Sequence, residues 1–64
     1  MNYRLIAEQI VNVYLTDLEI QQKVDNSPEP YRALIWETGI IPNPHEIDGS
    51  DEYNLIVDEL EKIW

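Results

Sequence analysis

The sequence predicts an all-α fold, a small bundle of three to four short helices with a Pro-rich loop before the last one. Three observations predict it. Apolar residues recur every three or four positions in several segments. Helix-start residues stand immediately before those segments. Pro28, Pro30, Pro42, Pro44, Gly39 and Gly49 fall between them.

The first helix is expected over Asn2 to Tyr14, where Tyr3, Ile6, Ala7, Ile10, Val13 and Tyr14 share one face. Continuing it straight on would place Asp17 and Gln21 on that apolar face, so a break is expected near Thr16. Thr16-Asp17-Leu18-Glu19 has the capping-box pattern, with Thr16 as cap and Glu19 reaching back. A short second helix then runs from Asp17 to about Val24. The alternation of Val11, Val13 and Leu15 with Asn12, Tyr14 and Thr16 leaves a strand as the competing reading of residues 11–16.

Asp25-Asn26-Ser27-Pro28 reads as a turn, with Ser27 capping a third helix and Pro28 at its first position. Tyr31, Leu34 and Ile35 form the apolar face of that helix, and Gly39 stops it. Ile40 to Pro44 cannot continue it, and Ile40 and Ile41 are expected to pin this loop to the core. In the last segment Ser50 is the cap, and Asp51 and Glu52 suit the positive end of the helix dipole. Tyr53, Ile56, Val57, Leu60, Ile63 and Trp64 supply the most regular amphipathic stripe in the chain.

A chain of 64 residues is read as one domain, and one that buries only a modest share of its surface. It has no cysteine, so disulfides and thiolate zinc sites are excluded. Thirteen acids against four bases give a formal net charge of −9. Direct nucleic-acid binding is not expected, because affinity for phosphates comes from clustered Lys and Arg. An anionic membrane surface is disfavoured for the same reason. The N-terminal residues do not form a secretory signal, and no stretch reaches transmembrane length, so a cytoplasmic location is expected.

Few residues invite a chemical reading. His45 lies with Glu46, Asp48 and Ser50 in a short segment, and Ser50, His45 and Asp48 are the components of a hydrolytic triad. Neighbours in one short loop, with no scaffold for an oxyanion hole, read better as a solvated His45 and a capping Ser50. The acids of that segment miss the EF-hand spacing: with Gly49 in the glycine position, Pro44 would be the first ligand and Leu55 the last. No catalytic residue, metal site or cofactor is therefore assigned, and the chain is not expected to be an enzyme.

What stands out is charge. Residues 46–64 hold seven acids and one base, a net of −6; the preceding 45 hold six acids and three bases, a net of −3. Asp51, Glu52, Asp58, Glu59 and Glu61 give the last helix a broad acidic face. Three apolar residues, Leu5, Trp36 and Leu55, fall off their helix stripes, so either the bundle wraps them from two sides or they mark a surface for a partner or a second copy; Trp36 lies one turn from Arg32, over which it can stack. The expected function is a small acidic protein-binding module. It uses those five acids with Trp36 and Leu55 as anchors against a basic protein partner, in the manner of an inhibitor that imitates nucleic-acid charge, as some phage proteins do. The alternative is a homodimer or complex subunit whose acidity serves solubility alone.

Overall fold

The computed structural model describes residues 2–64, and the elements run α1 (Tyr3–Thr16), α2 (Leu18–Asp25), α3 (Pro30–Thr38), α4 (Pro44–Ile47) and α5 (Asp51–Ile63). The all-helical architecture agrees with the sequence expectation. The count is one higher than expected, because the segment from Pro44 forms a single helical turn. Asn43 precedes it and Pro44 occupies the first position, where the missing N–H costs nothing. His45 and Glu46 thus sit on a helical turn and not in a loop. Residues 11–16 are helical, which removes the strand alternative.

Each helix boundary has a local chemical cause. Asn2 caps α1 by accepting from Leu5 N–H at 3.0 Å. The break after α1 falls where the polar residues interrupt the stripe, but Thr16 is not the cap of α2. Thr16 stays in the last turn of α1, where its hydroxyl donates to the carbonyls of Asn12 and Val13. Asp17 is extended, and its carboxylate accepts from Glu19 and Ile20 N–H at 3.0 and 3.2 Å. The Thr16–Glu19 capping box is thereby corrected. Glu19 faces Lys23 one turn on.

The start of α3 also differs from expectation. Ser27 does not cap it, and Pro28 is not its first residue; Glu29 is the N-cap position and Pro30 the first helical residue. The reason is steric. A residue preceding proline is pushed out of the helical region, so Glu29 before Pro30 cannot be helical, and it takes φ −127°, ψ 79°. The Ser27 hydroxyl instead accepts from Glu29 N–H and tightens the turn. Gly39 closes α3 in the left-handed conformation at φ 69°, as the sequence predicts. Ser50 caps α5 through Tyr53 N–H, also as predicted.

The core is a single cluster of Ala7, Ile10, Val24, Leu34, Ile35, Ile56 and Leu60, to which every helix but α4 contributes. Ile40, Ile41 and Ile47 pack against it from the Pro-rich connection, so that loop is pinned as expected. Helix α5 lies chiefly against α1, and α2 against α3. Trp64 closes one end, with Tyr14 and Tyr31 edge-on to its ring at centroid distances of 5.3 Å each. No helix of the described residues is long and apolar enough to cross a membrane.

Candidate functional site

The residues expected to meet a partner divide into two groups in three dimensions. Helix α5 turns Ile56 and Leu60 into the core, with Tyr53, Val57 and Ile63 flanking them. Its 3.6-residue period throws Asp51, Asp58 and Glu61 to the solvent side and keeps Glu52, one turn before Ile56, at the border of the apolar stripe; all four are exposed. Leu55 lies among them with 44% of its surface accessible. Asp51, Asp58 and Glu61, three of the five assigned acids, belong to the face of α5 opposite the core together with Leu55, and Glu52 stands at its edge.

Glu59 is apart from this set. Arg4 of α1 donates to it at 2.7 Å, and Lys62 approaches its other oxygen at 3.3 Å. The Arg4 hydrogen bond, with the nearby Lys62, holds the Glu59 carboxyl below its ordinary value. Glu59 thus ties α5 to α1, and its charge is already answered.

Trp36 is likewise engaged. Its ring is half-buried against the core, Tyr53 meets it at 6.2 Å in an edge geometry, and the Arg32 guanidinium lies 4.0 Å from its centroid. The stacking on Arg32 is the one the sequence suggests. Arg32 in turn donates to Asp48 at 2.7 Å, which raises the Arg32 pKa and links α3 to the segment before α5. Trp36 falls off its helix stripe because α3 is covered from a second side by Tyr53, not because the ring projects into solvent.

Among the described residues, Arg4, Lys23, Arg32 and Lys62 engage Glu59, Glu19 with Glu37, Asp48 and Glu59 again. With thirteen acids and four of them so paired, nine carboxylates meet no cation among the described residues. Four of the nine are on α5. One of the others, Asp25, accepts from the Tyr14 hydroxyl at 2.7 Å, and that bond raises the Tyr14 pKa.

The segment around His45 assembles no triad. The Ser50 hydroxyl donates to Ile47 carbonyl oxygen at 2.6 Å and accepts from Tyr53 N–H, which occupies it in capping α5. His45 is exposed. No group of three or more His, Asp or Glu side chains among the described residues is placed to hold a metal ion.

Sequence reasoning passed over two exposed leucines. Leu15 and Leu18 flank the α1–α2 corner with 63% and 68% of their surface accessible. The signal was present: once the chain breaks at Asp17, neither residue lies on the stripe of its own helix. No protein-family model matches the sequence, and comparison with curated proteins and with solved structures returns no match.

Proposed function

We propose that this chain is an acidic protein-binding module that presents the outer face of α5 to a basic protein surface. The observation that carries the reading is the unequal treatment of the acids on one helix. Glu59 is paired with Arg4 and Lys62, while Asp51, Glu52, Asp58 and Glu61 have no cation among the described residues. Four uncompensated charges on one short helix set up a field that accelerates encounter with a basic partner.

Spacing narrows the class of surface. Asp51 and Glu61 are ten residues apart, about 15 Å along a helix. Asp51, Asp58 and Glu61, the three on the outer face, average about one per 7 Å over that length. Duplex DNA carries about one per 1.7 Å of axis and a single strand about one per 3.4 Å. The helix therefore resembles one phosphate strand more than a duplex, and a basic groove that holds a single strand is the better-matched target. In this reading the module acts as a competitive inhibitor of such a groove, with Leu55 as the apolar contact among the acids.

The test is capture from nuclease-treated lysate by wild-type protein and by the double variant Asp58→Asn, Glu61→Gln, each at low and high salt. The reading expects a basic nucleic-acid-binding protein that the variant fails to hold and that elutes as salt rises. A partner retained equally by the variant, or one indifferent to salt, refutes it.

Leu15 and Leu18 favour a second reading, self-association through the α1–α2 corner. Salt separates the two. Two copies each carrying −9 repel, so added salt strengthens a homodimer while it weakens a complex with a basic partner. Sedimentation of the isolated protein at two ionic strengths decides it.

A further inference from the structure

We infer that a cleft between α1, the Ile40–Pro42 loop and α5 receives an apolar side chain from a Lys- or Arg-flanked segment of a partner protein. This rests on the acidic-module reading and gives the partner a second, apolar point of attachment. The cleft has a volume of about 260 Å³, with walls supplied by Ile6, Ile40, Ile41, Pro42, Ile47 and Ile56. Gln9 and Glu52 are the polar residues lining it. That volume falls below the roughly 300–1,000 Å³ of sites for drug-sized ligands, and suits one side chain. An apolar cleft of this kind is how an interface holds an anchor residue.

Charge decides what kind of segment carries the anchor. No Lys or Arg lines the cleft, and every Lys and Arg of the chain is engaged by an acid elsewhere. The Glu52 carboxylate at its edge has no counter-ion among the described residues. A second copy of this chain would bring another net −9 to that edge. A segment with Lys or Arg beside its apolar residue supplies the missing charge while the side chain fills the cleft. The helix face with Asp58 and Glu61 can then hold further basic residues of the same partner.

The cleft is lined by isoleucines, which makes the test direct. The full chain, labelled at isoleucine δ1 methyl groups, is titrated with the blocked peptide Lys-Lys-Gly-Leu-Gly-Lys-Lys. A second peptide has alanine in place of the leucine, and a third has glutamate in place of every lysine. The inference expects shifts at Ile40, Ile41 and Ile47, with Ile10 and Ile63 unmoved. It expects the alanine peptide to bind about tenfold or more weakly, from the apolar area lost. Glu52→Gln, an exposed substitution, should weaken the leucine peptide by about two- to fivefold without moving the site of the shifts.

Equal binding of the leucine and alanine peptides, with shifts confined to amides around Asp58 and Glu61, overturns the cleft while leaving the acidic face in place. Equal binding of the glutamate peptide overturns the charge of the occupant. Absence of shifts with any peptide overturns the inference outright. Shifts that follow protein concentration alone assign the cleft to a second copy and overturn it too. Lysate capture on the Asp58 and Glu61 variant judges the acidic face separately.

Discussion

Replacing Asp17 by alanine removes the side-chain acceptor that caps α2. Its carboxylate takes two hydrogen bonds, from Glu19 and Ile20 N–H. Losing an N-cap of this kind costs about 1 kcal/mol, within a range of about 0.5–2, and an acid there gains a few tenths more from the helix dipole. A total of about 1–2 kcal/mol is expected. Helix α2 has eight residues and buries only Val24 completely. Isolated helices shorter than about 12–15 residues are marginal in water, so little else replaces the cap. At about 0.05–0.15 kcal/mol per residue the chain of 64 has about 3–10 kcal/mol in total. The loss corresponds to a Tm lower by about 4–16 °C, at about 4–8 °C per kcal/mol for a domain of this size. Thermal melts by circular dichroism of Asp17→Ala, Thr16→Ala and Glu19→Gln provide the comparison. Thr16 and Glu19 should each stay within about 0.5 kcal/mol of wild type, as exposed positions away from a cap do. If Thr16→Ala costs as much as Asp17→Ala, Thr16 and not Asp17 caps α2, and the capping account above is refuted.

The remaining expectations concern the core and the titrating contacts. Leu60→Ala, at a fully buried position, should cost about 2–5 kcal/mol, a large part of the total, and leave a measurable unfolded fraction in urea titrations near room temperature. Glu59 has a depressed pKa because Arg4 and Lys62 favour its charged form. Its stabilisation is therefore present above its ordinary value of 4.5 and is lost as pH falls through the lower folded value. The gap in urea midpoint between wild type and Glu59→Gln should close in that acid range; a gap that is constant with pH contradicts the ion pair. Tyr14 behaves in the opposite sense. Its pKa is raised above 10.0 by the bond to Asp25, so its contribution holds below 10.0 and disappears as pH rises through the raised value. Asp25→Asn should bring the Tyr14 ionisation, followed by ring NMR signals, to lower pH.

The parts of the fold that were legible are those governed by local chemistry acting alone. In α5 the cap Ser50, the acids Asp51 and Glu52 and the stripe through Leu60 all point to one answer, and the helix forms where they place it. At the α1–α2 break two good capping residues are adjacent. The choice between Thr16 and Asp17 turns on whether the Thr16 hydroxyl can satisfy carbonyls of the preceding turn, which it does. At α3 two prolines competed for the first position. The steric rule for a residue preceding proline selects Pro30, because it keeps Glu29 out of the helical region. The turn of α4 is too short to show a period. For the candidate surface, spacing along α5 separated its acids from its apolar stripe. It did not reveal that Glu59 meets Arg4, a residue 55 positions away, nor that Tyr53 covers Trp36. The isoleucine cleft was equally out of reach, because its walls come from four segments that only the packed chain brings together.

Salt links the stability of this chain to its proposed use, with opposite signs. The nine carboxylates without a cation among the described residues belong to a body of 29 × 20 × 20 Å. Each therefore lies within a few Debye lengths of the others, since that length is about 8 Å at physiological ionic strength. Their mutual repulsion opposes the compact state. Raising salt should accordingly raise the Tm of the isolated protein, the reverse of what surface ion pairs alone would give. The same screening should shorten the lifetime and slow the formation of a complex with a basic partner. A basic ligand that neutralises the α5 face should also stabilise the fold, and most strongly at low salt, where the repulsion it relieves is largest. Asp58→Asn with Glu61→Gln tests both halves in one molecule, because neither side chain has a hydrogen-bond or ion-pair partner among the described residues. The variant should melt higher than wild type at low salt, should lose that advantage at high salt, and should bind the basic partner less. A variant that melts lower than wild type at low salt would mean these acids support the fold, and the case for holding them in reserve for a partner would fall.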